Sequence, residues 1–133
     1  MSVGRYLLDT SAILTLIEDE DGAGRVEEIL HEGKVFLPFP VLIETYYISL
    51  QERSETIADE RYALLRHLSA TEIWSVDEPT VLTAARLKAR FHVSFADALI
   101  AAFAVRSSAV LVHKDPEFEV LADQVLQESL PYK

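Results

Sequence analysis

Short apolar runs alternate with longer segments of helical spacing along the chain. Runs of three or four apolar residues indicate buried strands, and apolar residues three or four positions apart indicate helices. The predicted strands cover residues 6–8, 35–37, 73–76 and 110–112, with a weaker fifth near Val125 and Leu126. The predicted helices cover residues 12–18, a segment around 26–30 that Gly33 ends, and residues 41–50, 57–68, 78–91 and 94–105.

This alternation predicts an α/β fold, a three-layer α/β/α sandwich around a mostly parallel central sheet. The chain has 133 residues, enough for a sizeable core, and we assign residues 1–133 to a single domain. Sheets of this kind bind ligands in a crevice at the carboxyl ends of their strands. Polar residues that follow strands or begin helices are therefore the functional candidates.

Composition narrows the class of protein. Half of the residues are hydrophobic, which excludes a disordered chain, and the absence of cysteine excludes disulfides and thiolate metal sites. The start, MSVGRYLLDTS, lacks the apolar stretch of a signal peptide, and no segment approaches the roughly 20 apolar residues of a membrane span. We therefore expect a soluble cytoplasmic protein without a membrane partner.

The chain is acidic, with 22 Asp and Glu against 12 Lys and Arg and a net charge of −10. This balance argues against binding of nucleic acid through a generally basic surface. It does not exclude an enzyme that reaches nucleic acid through bound cations.

Two acids directly follow predicted strands. Asp9 follows the first strand, where Asp9, Thr10 or Ser11 could each serve as a helix N-cap. Asp115 follows the fourth strand and precedes Pro116, a common helix start with Asp as N-cap and Pro at the first helical position. Capping alone explains either acid.

Two further acids lie in apolar helices. Glu44 stands in PVLIETYYISL, a segment apolar on most of its circumference, which predicts a buried helix whose single acid needs a partner or a cation. The alternative is that Glu44 points to water. Asp97 stands in SFADALIAAFAV, where Ser94 and Asp97 match a capping box, although that motif prefers Glu or Gln at the second place.

The four acids are more informative together than singly. Strand ends and helix starts of a doubly wound sheet can converge on one edge, and four carboxylates there would raise one another's pKa values unless they were neutralised. Hard divalent cations such as Mg²⁺, which take oxygen ligands, would neutralise them.

The order and spacing of these acids resemble the PIN domain, a nuclease fold that includes the toxins of VapBC-type toxin–antitoxin pairs. The separations are 35 residues from Asp9 to Glu44, 53 from Glu44 to Asp97, and 18 from Asp97 to Asp115. The motifs that support the resemblance are LLDTSAIL at 7–14, PVLIETYY at 40–47, SFADALIAA at 94–102 and LVHKDPEFE at 111–119.

The resemblance implies hydrolysis of RNA phosphodiester bonds with one or two Mg²⁺ or Mn²⁺ ions. It implies an antitoxin partner and a homodimer, for which the helices predicted at 41–50 and 57–68 could supply association surfaces, although core packing is the more ordinary explanation. The implied catalytic and metal-binding residues are Asp9, Glu44, Asp97 and Asp115, with Thr10, Ser11 and Ser94 in support.

One position departs from the family pattern. Where the family often has Thr or Ser two residues before the last acid, this chain has His113. This change could alter how Asp115 is held or how water is positioned, although a single histidine beside Lys114 is more typical of a surface residue, which is what we expect here. The few basic candidates for contact with RNA are Lys114 and the pair Arg86 and Arg90, for which a solvated helix face is the ordinary explanation.

Two other classes of protein remain open. A receiver-type signalling domain also has a parallel sheet and an acidic Mg²⁺ pocket, but it would need adjacent acids after the first strand, where Asp9 stands alone before Thr10 and Ser11. A phosphatase with an Asp-x-Asp motif fails at the same place. A non-catalytic interaction module of the same fold is the other alternative, distinguished by an absence of metal binding.

Overall fold

The structure is a computed structural model that describes residues 4–133; the first three residues of the predicted domain lie outside the described part. The described residues form a five-stranded sheet in which every pairing is parallel, in the order β3-β2-β1-β4-β5. The strands are β1 (Arg5–Leu8), β2 (Lys34–Pro38), β3 (Thr71–Ile73), β4 (Val110–His113) and β5 (Gln127–Ser129).

Six α-helices and one 3-10 helix connect these strands in the described part of the chain. Side chains cap several helices: Ser54, Asp77 and Ser94 each accept a hydrogen bond from a backbone N–H of the first helical turn. The arrangement confirms the predicted three-layer α/β/α sandwich. The helices are α1 (Thr10–Ile17), α2 (Ala23–Glu32), α3 (Phe39–Glu52), α4 (Glu55–Arg66), α5 (Glu78–Arg90) and α6 (Phe95–Arg106), with the 3-10 helix at Pro116–Leu121.

The strand order places a crevice beside the central strand. From β1 the chain builds outward through β2 and β3, then returns to the other side of β1 to form β4 and β5. The connections leaving β1 and β4 therefore diverge, which opens a crevice at their carboxyl ends. Leu8 pairs with Val112, and the N–H of Asp9 donates to the Val112 carbonyl at 3.0 Å. This bond holds Asp9 at the mouth of the crevice.

The core contains the central strands and the body of α6. Leu7 and Leu8 of β1 are fully buried, as are the small residues Ala101 and Ala102 of α6. Small side chains let α6 pack closely against its neighbours, and Phe103 of α6 meets Phe39 edge to face at 5.9 Å between ring centroids. The apolar body of SFADALIAAFAV is thus core, and its polar start is at the surface.

Two predicted strands are displaced in the structure. The strand predicted at 73–76 lies at Thr71–Ile73, because its partner β2 ends at Pro38, which pairs with Ile73, and leaves no ladder beyond. The strand predicted near Val125 and Leu126 begins at Gln127. This edge strand is held by backbone pairing with β4, so its polar sequence shows no apolar run.

The prediction that the helix around Glu44 is apolar and buried all round is wrong. One side of α3 faces solvent, with Ile43, Tyr47 and Leu50 all exposed. The opposite side contains Val41, Leu42 and Thr45, and these side chains are buried. The apolar residues of α3 therefore form both a core face and an exposed patch.

Candidate metal centre

Asp97 and Asp115 meet at the crevice, together with Glu117. Each offers one carboxylate oxygen, and these three oxygens lie within 4.8 Å of one another. Asp97 is in the first turn of α6, where its backbone N–H donates to Ser94 Oγ at 3.1 Å. Asp115 caps the 3-10 helix and accepts from the Glu117 N–H at 3.0 Å. Oxygens around one Mg²⁺ lie roughly 2 Å from the ion, so this separation is compatible with a shared cation.

Asp9 lies beside this group and is nearly inaccessible, with 3 % of its surface exposed. Its Oδ2 accepts from the Ser11 N–H at 3.1 Å and from Ser11 Oγ at 2.6 Å. Ser11 Oγ also accepts from the Lys114 N–H at 2.8 Å. Ser11 thereby links the loop after β1 to the loop after β4, which carries Asp115.

Glu44 approaches the crevice from α3. Thr10 Oγ1 donates to Glu44 Oε1 at 2.7 Å, which connects the starts of α1 and α3. The Glu44 side chain is half-buried. Its charge raises the pKa values of both Asp9 and Asp97, so the three carboxylates share one electrostatic environment.

The electrostatics of the site disfavour the ionised acids. Burial, followed by the charges of Asp9, Asp115 and Glu44, raises the pKa of Asp97 to about 7. Burial raises the pKa of Asp9 to about 6, against the opposing effect of the Ser11 hydrogen bonds. Both pKa values exceed the usual value near 3.8, as expected for carboxylates gathered without a counter-charge.

Protein cations do not neutralise the cluster. Within residues 4–133, no lysine, arginine or histidine side chain forms an ion pair with Asp9, Glu44, Asp97, Asp115 or Glu117. Buried charges are ordinarily paired or bound to a metal. The donor set is all oxygen, which fits a hard divalent cation such as Mg²⁺ or Mn²⁺.

His113 is buried, so the prediction of a surface histidine is wrong. The Asp115 N–H donates to His113 Nδ1 at 3.1 Å, which leaves the ring proton on Nε2 to donate to Gln127 Oε1 at 2.9 Å. Burial lowers the pKa of His113, consistent with this neutral ring. The ring packs against Phe118, with centroids 5.1 Å apart. His113 therefore supports the loop that carries Asp115.

Lys114 is unavailable to a substrate. Its Nζ donates to the Asp21 carbonyl at 2.7 Å and lies 4.0 Å from Glu20, and 5 % of the side chain is exposed. Arg86 and Arg90 are exposed, as the solvated face predicts. Residue type alone did not distinguish the sequestered lysine from these arginines.

Sequence reasoning missed Glu117. The only local signal is that Glu117 stands two residues after Asp115, within Asp-Pro-Glu. Because Pro116 starts a tight 3-10 turn, Glu117 returns to the same side as Asp115. The helix start at Asp115 and Pro116 did not specify a 3-10 turn, so this geometry was not predicted.

The solved structures similar to this chain share its fold over most of their length. One is VapBC2 from Rickettsia felis, crystallised with a DNA fragment from its promoter: TM-score 0.79, 16% identity, 96% of this chain and 99% of that chain covered. VapBC-1 from nontypeable Haemophilus influenzae superposes with a TM-score of 0.73 at 21% identity, over 94% of this chain and 97% of that chain. Mycobacterium tuberculosis VapC20, a toxin that cleaves the sarcin–ricin loop, superposes with a TM-score of 0.70 at 16% identity, over 91% of this chain and 96% of that chain.

Sequence comparison identifies the family. No curated protein sequence matches the chain. No helix among residues 4–133 is long and apolar enough to cross a membrane. The PIN domain family profile matches residues 6–124, which span β1 through the 3-10 helix and include all five acids of the crevice. This chain therefore belongs to the PIN domain family.

Proposed function

We propose that this protein is a divalent-metal-dependent endoribonuclease, the toxin of a toxin–antitoxin pair that acts in the cytoplasm. The observation that supports the proposal most directly is the convergence of five carboxylates on one crevice with no cationic partner among residues 4–133. Acids whose pKa values are raised, first by burial and then by one another's charges, cost stability when ionised, and such sites are typical of function.

Asp97, Asp115 and Asp9 would hold Mg²⁺ or Mn²⁺, with Glu44 and Glu117 completing the site directly or through water. When bound, a divalent ion lowers the pKa of a water and offsets charge on a phosphate. Thr10 would orient Glu44 through its hydrogen bond. Ser94 would cap the helix that presents Asp97.

The residues around the acids would hold the site in place. Ser11 joins the Asp9 carboxylate to the Lys114 backbone, so hydrogen bonds connect the two segments that flank the crevice. His113 supports Asp115 by accepting a hydrogen bond from the Asp115 N–H, while its other ring nitrogen donates to Gln127. Fixed ligand geometry lets a site bind its ion without reorganisation at the moment of reaction.

The proposed partners are an antitoxin protein and a second copy of the chain. The solved structures that resemble this fold include VapBC2, VapBC-1 and a toxin–antitoxin complex from Klebsiella pneumoniae. This chain has apolar residues exposed on α3 and α4, namely Ile43, Tyr47, Leu50 and Leu64. Exposed apolar groups that lie together are typical of protein interfaces.

An RNA cleavage assay tests the proposal. The parent protein, Asp9→Asn and Asp97→Asn are incubated with RNA and Mg²⁺ or Mn²⁺, with and without EDTA. We expect cleavage by the parent alone and its loss in EDTA. Equal cleavage by the parent and both variants would refute the site, and an inert parent that also fails to bind metal by calorimetry would favour the non-catalytic module. Phosphorylation of the chain by a small phosphodonor would instead favour a receiver.

A further inference from the structure

A cleft of about 620 Å³ adjoins the acidic cluster. Lys88, His92 and Ser94 line it from α5 and the turn that follows, and Glu117 lines it from the 3-10 helix. Glu117 belongs to the cluster, and Ser94 caps the helix that carries Asp97. The size is that of a ligand cleft, and a molecule bound there would lie next to the cluster.

Two basic side chains, Lys88 and His92, line this cleft from the α5 side, in a segment without acids, although the chain as a whole is acidic. Residues 79–96 contain no Asp or Glu, whereas they include Arg86, Lys88, Arg90 and His92. Among residues 4–133, these three Lys and Arg side chains form no ion pair with an acid. Their charge is therefore available to an anion outside the protein.

Lys88 is held in place at the cleft. Its Nζ donates to the Val93 carbonyl at 2.8 Å, although the side chain is exposed. An ammonium has three donors, so two are left for other acceptors. The bond to Val93 positions the charge beside the turn that contains His92, which lowers the entropy cost of binding an anion there.

An apolar groove of about 540 Å³ continues from the cleft, and Lys88 lines both. Val81, Leu99 and Phe95 also line this groove. Phe95 is 76 % exposed and directly follows Ser94. A basic side chain beside an exposed aromatic ring suits single-stranded RNA, because the strand offers a phosphate to the basic side chain and an unstacked nucleobase to the ring. A duplex is a poorer match, since its bases remain stacked on one another.

We propose that Lys88 and His92 bind phosphates of single-stranded RNA beside the acidic cluster, and that Phe95 stacks on a neighbouring base. The inference rests on the proposed ribonuclease function and extends it to the substrate path. It assigns substrate-binding roles to three residues outside the acidic site.

Binding of RNA without cleavage tests the basic pair. A fluorescein-labelled, single-stranded RNA oligonucleotide of mixed sequence is titrated with Asp97→Asn protein and followed by anisotropy. Adding Lys88→Gln and His92→Gln should weaken binding at least tenfold. Lys88→Gln alone should reduce the steepness of log K against log salt by about 0.7, the value for one phosphate contact on a single strand. Lys88→Arg, which keeps charge and donors, should bind like the background protein.

The matched control is His31→Gln with Lys34→Gln. Both residues are exposed and lie where α2 meets the start of β2. This is the side of the sheet where the strands begin, whereas the acids lie at the carboxyl ends of the strands. The two doubles make the same chemical change, so we expect the control to retain binding. Equal affinity of the two doubles, or no binding of RNA by the background protein, would overturn the inference.

Phe95 is tested by comparing RNA forms. Phe95→Ala should weaken binding of the single strand about tenfold, within the range for loss of one base–aromatic stack, and leave a hairpin duplex unaffected. Phe95→Tyr should restore the affinity. If Phe95→Ala instead converts a dimer to a monomer on light scattering, with RNA binding unchanged, the groove serves a second copy and the assignment of Phe95 fails.

Cleavage kinetics separate the two proposals. If the parent cleaves RNA and Asp97→Asn does not, the proposed function stands. In that case the Lys88 and His92 double variant should raise KM with kcat within about twofold, and an unchanged KM would overturn only the further inference. If the parent never cleaves but the binding differences hold, the proposed function fails, and Lys88, His92 and Phe95 bind RNA without leading it to a cleavage site.

Discussion

Two carboxylates of this protein show opposite electrostatic behaviour. Glu128 on β5 accepts from Arg25 Nε at 2.7 Å and from a terminal Arg25 nitrogen at 3.0 Å, and the pair lowers the pKa of Glu128. Asp97 has no such partner among the described residues, and its pKa is raised to about 7. The same kind of group is stabilised in one place and left uncompensated in the other.

The difference between Glu128 and Asp97 shows that the fold leaves acids unpaired at the crevice, at a cost in stability. Surface acids are paired elsewhere as well: Glu20 contacts Lys133, and Glu72 contacts Arg66. A chain with 22 acids and 12 Lys and Arg has too few cations to pair every acid. Several unpaired acids gather at the crevice, where their mutual repulsion is removed by protonation or by an added cation.

The largest expected effect is the stabilisation of the acidic cluster by a bound metal ion. Mg²⁺ or Mn²⁺ at about 100 times Kd should stabilise the parent by about 2.7 kcal/mol and raise Tm on the order of 10 °C. Asp97→Asn should abolish the shift, and Glu128→Gln should retain it, because Glu128 lies in the paired set. Scanning fluorimetry with and without EDTA measures the effect. A parent with no shift would contradict the metal centre.

The next effect concerns the support beneath Asp115. His113→Ala should lower the free energy of unfolding by about 2 to 3 kcal/mol, because it removes a buried ring and leaves polar groups of Gln127 and the Asp115 backbone without partners. Urea denaturation measures the loss. The exposed His31→Ala should change stability by less than about 0.5 kcal/mol, and equal effects at both positions would show that His113 has no supporting role.

Removing an uncompensated charge should stabilise the metal-free protein. At pH 7.5 in EDTA, Asp97→Asn should raise the free energy of unfolding by about 1 to 2 kcal/mol, after allowance for solvent screening. A raised pKa means that the contribution of Asp97 is intact below about 3.8 and lost as pH rises through about 7. The advantage of Asn should therefore be small at pH 4.5 and grow to pH 7.5. An advantage that shrinks with pH would contradict the raised pKa.

The smallest expected effect is on the paired side. Glu128→Gln should cost about 0.5 to 1 kcal/mol, typical of a partly exposed ion pair with Arg25, and the cost should decrease in high salt. The lowered pKa of Glu128 means that its contribution is present above about 4.5 and lost as pH falls. The pH dependence is thus opposite in sign to that of Asp97. Thermal unfolding of Glu128→Gln at several salt concentrations provides the measurement.

Much of the local structure followed from short sequence signals. Ser94 and Asp115 are N-caps, as the capping patterns predicted, and Asp9 is the N-cap among the three candidates Asp9, Thr10 and Ser11. The parallel sheet was foreseen from the alternation of strands and helices. The edge strand at Gln127–Ser129 was misplaced, because a strand held by backbone bonds at the margin of a sheet needs no apolar pattern.

The sequence by itself determined that Ser94 and Asp115 cap helices and that Asp9 and Asp115 follow strands, because caps and turns depend on backbone angles within a few residues. Only the tertiary structure decided that Asp97, Asp115 and Glu117 meet, that His113 is buried, and that Lys114 turns away. Those outcomes depend on strand order 3-2-1-4-5, which opens one crevice beside the central strand. Burial and the charges of neighbouring acids raise the pKa values of Asp9 and Asp97 there, which distinguishes these acids from one that only caps a helix.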